Sequence, residues 1–191
     1  MNAIELVFDF FEDHVQAAAV VNQRRPLALG VMGFAIGAVS LYVSHGLSDR
    51  LLLPFGWASL GLIVLWELLI GFLLVSVLHL ILEMGSARGS AAALFVLLGL
   101  ANIAWALAVP AVLLLKLVAP DSSWLFTAVF FVLGLLSVSL KARSIQDNYH
   151  ISSGKAWVTL GLPYMAVLAA VILAASLAML GLFVQIVKAF N

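Results

Sequence analysis

The sequence predicts an all-α polytopic membrane protein, a five-transmembrane-helix bundle preceded by an amphipathic interfacial helix. The 191 residues are 65% hydrophobic and only 9% charged, whereas a soluble domain is about half apolar and about a quarter charged. Five apolar runs are long enough to cross a bilayer, which takes about 20 helical residues. Because these runs lack the alternating pattern of a barrel strand, we expect helices.

The interfacial helix is predicted within residues 1–26. Phe8, Phe11 and Val15 recur at helical spacing, which indicates an apolar face. The apolar face is expected to hold Ile4, Phe8, Phe11, Val15 and Ala18, and the polar face Glu5, Asp9, Glu12 and Gln16. This helix is too charged to span a bilayer. It either lies along the membrane interface with its phenylalanines inserted, or packs beneath the bundle and fixes the first crossing.

The transmembrane bundle is predicted for residues 27–191, with short links and no inserted soluble domain. The predicted crossings are 27–44, 56–82, 91–117, 124–140 and 156–187. Cytoplasmic links carry an excess of Lys and Arg. The N-terminal side would hold Arg24, Arg25, Arg88, Lys141, Arg143 and Lys155, and the opposite side Arg50, Lys116 and Lys188. We therefore expect a cell membrane protein, inner or plasma, with a cytoplasmic N-terminus and an external C-terminus.

Two stripes of small residues are predicted to mediate close helix packing. The first lies on the first crossing and the second on the last. Their central members are Gly30, Gly33 and Gly37, and Ala170, Ala174 and Ala178. Small residues let helix backbones approach closely where lipid removes the hydrophobic drive for association. Each stripe either packs within the monomer or forms a dimer face.

Glu67 lies in the middle of the second apolar run, and Asn102 lies inside the third. A charged carboxylate at the membrane centre is costly, so Glu67 is expected to be protonated, paired or facing water. Either Glu67 is a functional acid, such as a proton carrier, or it forms a structural hydrogen bond with a neighbouring helix through Asn102.

His79 and Glu83 stand four residues apart, so they share one face of the second crossing. With a third ligand they would hold a metal; otherwise they are an interfacial histidine and a helix-end charge. No catalytic set or metal motif is visible, so we expect neither an enzyme nor a cofactor. The formal net charge is zero, which argues against a nucleic-acid partner because phosphates require a basic patch.

The polar stretch DNYHISSGKAW before the last crossing is not a phosphate-binding P-loop. Ala156 follows Lys155 where that motif needs Ser or Thr. Ser152 and Ser153 are instead good N-cap residues for the last helix. We predict a turn at the membrane surface, and a partner-binding surface in the cytoplasmic links. Its candidate residues are Arg88, Tyr149, His150 and Lys155.

Two segments resemble the YIP family (also called YIPF) of Ypt/Rab-interacting membrane proteins. NYHISSGKAWVTLGLPYMAVLAAVIL is similar to the turn and early-proline helix of the family's last crossing, and LHLILEMGSARGSAAALFVLLGLAN to its link between the second and third helices. The matching residues are Ile151, Ser152, Gly154, Lys155, Ala156 and Pro163, and Gly85, Arg88, Gly89 and Ser90. FDFFED resembles the family's amphipathic entry. The eukaryotic DLYGP and GY signatures are missing, so the resemblance is to a short prokaryotic-type member.

Together with this resemblance, the amphipathic entry helix, the small-residue stripes and the lack of a catalytic set predict a non-enzymatic integral membrane protein of the YIP family. It would be a scaffold or membrane-organising, trafficking-type factor that acts through protein or lipid contacts. The expected partners are the lipid bilayer and a homodimer or another membrane protein. The alternative is a small proton-linked transporter or channel in which Glu67 is the carrier and Asn102 its partner.

Overall fold

The computed structural model describes residues 2–48, 50–51 and 54–189, with side chains as far as Leu182. The described secondary structure is helical throughout, without a strand in these ranges. The helices are α1 (Ala3–Glu12), α2 (His14–Arg24), α3 (Leu27–Leu47), α4 (Trp57–Met84), α5 (Ala91–Asn102), α6 (Ala108–Val118), α7 (Ser123–Tyr149) and α8 (Ser153–Ala189), and a 3₁₀ turn, Ile103–Leu107, joins α5 to α6.

Within the described residues, five helices are long and apolar enough to cross a membrane. They are α3, α4, the continuous segment Ala91–Val118, α7, and residues Ser153–Leu182 of α8. The predicted fold class is confirmed, and the architecture is that of a multi-pass membrane protein. We call the end of the bundle that carries the links 25–26, 85–90 and 150–152 the basic end, because Arg25, Arg88 and Lys155 lie there.

The N-terminal segment forms two helices, so the prediction of one amphipathic helix is wrong. Asp13 ends α1 and caps α2, because its carboxylate accepts a hydrogen bond from the Gln16 N–H at 3.2 Å. Capping by a short acidic side chain competes with a continuous helix. Both helices pack on the bundle, where Leu6 and Phe10 join a buried cluster with residues of α5.

The apolar face predicted for this segment is largely the exposed one. Phe8 is 63% exposed and Val15 is 61% exposed, and Phe11 is exposed as well. The buried apolar side chains are Leu6, Phe10, Ala17, Ala18 and Val21, of which only Ala18 belongs to the predicted face. Apolar residues thus occupy two sides of the segment, and sequence spacing alone selected the side that faces away from the bundle.

The glycine stripe of α3 packs against α5 inside the monomer. A Cβ atom on Gly33 would overlap the Gly99 carbonyl group, and one on Gly37 would lie 2.7 Å from the Asn102 carbonyl oxygen. A Cβ on Gly30 would lie 3.0 Å from both Val96 Cα and a Phe95 ring carbon. The backbones of α3 and α5 therefore touch, and this stripe is not a dimer face.

The third crossing is interrupted near its middle by the 3₁₀ turn Ile103–Leu107. Pro110, in the first turn of α6, has no N–H to donate to the Ala106 carbonyl group, and its ring crowds the preceding turn. The local tightening follows from this missing hydrogen bond. Asn102, the last residue of α5, therefore lies where the regular helix ends.

Helix α7 continues to Tyr149, nine residues beyond the predicted end at Leu140. The sequence contains Lys141, Arg143 and Asp147 in this part, which resembled a link. Asp147 instead contacts His14 on α2 and Arg143 one turn earlier on α7, and Lys141 lies within electrostatic range of Glu67 on α4. A helix surface can carry charged residues in this way without leaving the bundle.

Helix α8 packs against α4 and α7 only through its first turns. Ala156, Thr159 and Leu160 are buried, whereas every residue from Tyr164 to Leu182 is exposed. The stripe Ala170, Ala174 and Ala178 therefore has no packing role within the described part of the monomer. Ser152 caps α8, with its Oγ accepting from the Lys155 N–H at 3.4 Å, as predicted.

Candidate functional site

Glu67 and Asn102 meet inside the bundle. The Asn102 side-chain N–H group donates a hydrogen bond of 3.0 Å to Glu67 Oε1. Asn102 is buried and Glu67 is partly buried. The predicted pairing is therefore present, and it joins α4 to the interrupted end of α5.

Two further polar side chains complete this intramembrane cluster. Lys141 on α7 and Tyr164 on α8 both lie within electrostatic range of the Glu67 carboxylate. The sequence prediction placed Lys141 in a cytoplasmic link, but it lies on α7. The cluster of Glu67, Asn102, Lys141 and Tyr164 thus draws on four helices; Glu67 and Asn102 are joined by a hydrogen bond, and Lys141 and Tyr164 lie near enough to interact electrostatically with Glu67.

The cluster leaves hydrogen-bonding capacity unused. Asn102 Oδ1 is buried and has no hydrogen-bond partner among the residues that the structure describes. Ser137 Oγ on α7 is in the same condition. Buried polar atoms without partners are uncommon and mark places where water, an ion or a proton is accommodated. Of the predicted polar sites, this cluster is the one with such atoms.

His79 and Glu83 form a second polar group, on α4 towards the basic end. His79 Nε2 lies 3.3 Å from Glu83 Oε1, which confirms that they share a face. His79 Nδ1 lies 2.6 Å from the Tyr149 hydroxyl group. The Tyr149 O–H donates to Nδ1 and the Nε2–H group donates to the carboxylate, so one neutral tautomer satisfies both contacts.

The structure corrects the prediction that Tyr149 belongs to an exposed binding surface. Tyr149 is only 2% exposed, and its ring lies against Gly89 so closely that a Cβ atom there would overlap it. It ties the end of α7 to α4 and to the link before α5. Arg88, His150 and Lys155 are exposed, as a surface role requires.

A third polar group attaches the N-terminal helices to the bundle, and the sequence analysis did not identify it. His14 is 1% exposed, and its Nδ1 lies 2.7 Å from Asp147 Oδ2 on α7. Its Nε2 lies 3.3 Å from Ser144 Oγ, and the Phe10 ring packs on the imidazole at 4.5 Å between centroids. The available signal in the sequence was a histidine at the start of one helix and an aspartate on a helix far along the chain. Residue spacing within a helix cannot show that two such residues are in contact.

Burial and hydrogen bonding act in opposite directions on the pKa of His14. Burial lowers the pKa below its usual 6.5, and this effect outweighs the hydrogen bond and the charge of Asp147, which raise it. Ser144 Oγ also lies 2.8 Å from the Leu140 carbonyl oxygen. When His14 is neutral and donates Nδ1–H to Asp147, its Nε2 is an acceptor and needs the single hydroxyl proton of Ser144. When His14 is protonated, Nε2–H donates to Ser144 Oγ, and the Ser144 proton is free to bond the Leu140 carbonyl oxygen.

Within the described residues, no group of three His, Cys, Asp or Glu side chains converges as metal ligands would. The third side chain beside His79 and Glu83 is Tyr149, which contacts His79. It is not the third His, Cys, Asp or Glu that the metal hypothesis needed.

The fold and these polar groups define a multi-pass helical membrane protein whose internal polar residues are largely paired with one another. No protein-family model, curated protein or solved structure matches the chain.

Proposed function

We propose that the protein is a non-enzymatic integral membrane protein of the YIP type, a scaffold or membrane-organising factor that acts through contacts with other membrane components. The excess of Lys and Arg at the basic end supports a cytoplasmic N-terminus in a cell membrane. The motifs around Arg88 and Lys155 support the family assignment, since they carry the resemblance in the sequence.

The observation that carries this proposal is the exposure of α8. From Tyr164 to Leu182 every side chain is exposed in the described chain. Its small residues lie at a spacing of four, in Ala166, Ala170, Ala174 and Ala178. The glycine stripe of α3 is occupied by α5, so only the α8 stripe of the two remains available to another helix.

The occupant we propose is the α8 helix of a second copy, which would form a homodimer. Small residues at every fourth position allow two helices to pack closely in lipid, where close contact rather than water exclusion drives association. A symmetric pair of α8 helices also follows the commonest form of homo-oligomer, a two-fold dimer.

The test is the oligomeric state in lipid nanodiscs after Ala174→Leu, with Leu173→Ala as the control on another face of α8. Both positions are exposed in the monomer. The larger side chain at 174 should prevent close approach and convert dimer to monomer, while the control should leave the dimer intact. A wild-type protein that is monomeric across the accessible range of protein-to-lipid ratios would remove the homodimer from the proposal.

A second candidate function is supported by the intramembrane cluster: a small proton-linked transporter or channel with Glu67 as the carrier. The unpartnered Asn102 Oδ1 atom and the nearby charge of Lys141 supply the features that a proton site uses. Proton flux into proteoliposomes should then disappear with Glu67→Gln. Glu83→Gln is the matched control, since that acid lies on the same helix outside the cluster.

A further inference from the structure

A cavity of about 590 Å³ opens at the basic end, between α2, the link before α5 and the end of α7. Sites for small ligands typically fall between about 300 and 1,000 Å³. The cavity is separate from the intramembrane cluster and from α8. None of the polar interactions described above requires a space of this size.

Two arginines line the cavity. Arg25 ends α2, and Arg88 lies in the link before α5. Both are exposed, and neither forms an ion pair or a side-chain hydrogen bond with a described residue. Asp147 is the acidic residue on the described lining, and its carboxylate is already engaged by His14 at 2.7 Å and by Arg143 at 4.0 Å. The cavity therefore retains positive charge for a ligand.

The backbone at the cavity is shaped around these side chains. Arg25 and His150 both occupy the left-handed region, with φ of 47° and 51°, and each ends a helix. Gly and Asn are the usual residues at such positions because a Cβ atom is strained there. Here both positions carry long or ring side chains able to donate hydrogen bonds, and both line the same cavity.

The lining also includes an apolar wall, formed by Val15, Ala18 and Ala19 of α2. Val15 is 61% exposed. A basic rim beside an exposed apolar wall, at one end of a transmembrane bundle, matches a molecule with an anionic group and a hydrocarbon chain. Guanidinium groups bind phosphoryl oxygens through paired, charge-assisted hydrogen bonds.

We propose that this cavity binds a phosphoryl group, carried by an anionic phospholipid. Arg25 and Arg88 hold the phosphoryl oxygens, His150 lies at the rim, and the acyl chain follows the wall formed by α2. The site is independent of the proposed function, because it uses neither α8 nor Glu67.

The test uses the full chain in detergent, with thermal unfolding followed while ligand is added. The probes are dioctanoyl phosphatidylglycerol, dioctanoyl phosphatidylcholine and inorganic phosphate. Phosphatidylglycerol should raise Tm saturably, and phosphatidylcholine should have little effect. Inorganic phosphate should act only at much higher concentration, since it gains nothing from the apolar wall. Equal potency of inorganic phosphate would overturn the lipid assignment and identify a free-anion site.

The variants are Arg25→Gln and Arg88→Gln, each expected to weaken phosphatidylglycerol binding about tenfold, the loss of one charge-assisted pair. Arg88→Lys should recover only part of the affinity, because lysine cannot make the two-point contact. Lys155→Gln is the control, an exposed cation at the same end that does not line the cavity. The same weakening in Lys155→Gln, or unchanged binding in both arginine variants, would overturn the proposal. Counting bound phosphatidylglycerol by native mass spectrometry keeps the test valid if a variant alters Tm on its own.

Discussion

Substitution of Gly33 by alanine tests the close contact of α3 with α5, on which the arrangement of the bundle depends. A Cβ atom at this position would lie 2.5 Å from the Gly99 carbonyl carbon and 3.0 Å from the Leu100 nitrogen. Carbon atoms in contact prefer about 3.5–4.0 Å. The obstruction is backbone on both sides, so no side chain can rotate away to relieve it.

The helices must therefore separate by roughly 1 Å, and a gap of that size forfeits about a quarter to a half of the dispersion energy of each affected contact. Overpacking of this kind costs about 1–3 kcal/mol of the free energy of unfolding. The separation also reaches Gly37 and Asn102 on the same contact, so it should loosen the Asn102–Glu67 hydrogen bond.

The assay is unfolding in mixed micelles by titration with SDS, followed by tryptophan fluorescence. Gly61→Ala on α4 is the matched control, because a Cβ atom there meets nothing within 4 Å. Both changes raise helix propensity equally, so the difference between them isolates packing. If Gly33→Ala were as stable as Gly61→Ala, the close contact of α3 and α5 would be refuted.

Three other changes have expected outcomes. Glu67→Gln should keep or slightly raise the midpoint of SDS unfolding. The new amide can donate a hydrogen bond to the unpartnered Asn102 Oδ1 while its oxygen still accepts one from Asn102. A large drop in the midpoint would show that the charge of Glu67 is needed for folding. Acidification should weaken docking of α1 and α2. Because the pKa of His14 is lowered below 6.5 in the folded protein, the unfolded chain binds the proton first as the pH falls. The stability that His14 contributes is therefore present above pH 6.5 and is lost as the pH falls below 6.5 towards the folded-state pKa. Thermal unfolding of His14→Asn against wild type from pH 7.5 to 5 checks this, and equal pH dependence would contradict it. Tyr149→Phe should cost about 1 kcal/mol, the usual value of one hydrogen bond, measured in the same SDS titration with Tyr164→Phe for comparison; no loss would mean that the contact with His79 contributes nothing.

The crossings were predictable because apolar length alone selects them. All five predicted runs correspond to helices, and Ser152 was correctly predicted as an N-cap. The glycine stripe of α3 was also recognised, but not its partner Gly99, since a single glycine in an apolar run gives no signal. Whether the stripe packs inside the monomer or between monomers depends on which helix lies against it. Residue spacing does not identify that neighbouring helix.

Polar residues were the main source of error. Lys141 and Tyr149 were assigned to a link because the run of apolar residues ended at Leu140. Tyr149 contacts His79, and Lys141 lies within electrostatic range of Glu67, and both of these residues are on α4, which is distant in sequence. A polar side chain that interacts across helices is indistinguishable in sequence from one in solvent.

The N-terminal segment shows a different limit. Its residues are apolar on two sides, so periodicity supported more than one face. Leu6 and Phe10 became buried because α5 offers a complementary surface, and His14 anchors the pair through Asp147. The choice of face was made by tertiary contacts rather than by helix periodicity.

The central claim, that α8 is a contact surface for other membrane components, is tested most directly by site-specific cross-linking in native membranes. The chain has no cysteine, so one introduced thiol reports on one position. Ala174→Cys and Gly181→Cys on α8 should form cross-linked species with a second copy or another membrane protein. Ala101→Cys, buried in the bundle, should not. If the two α8 cysteine variants remained monomeric and their thiols reacted only with lipid-soluble reagents, α8 would face lipid alone. That result would contradict the scaffold account.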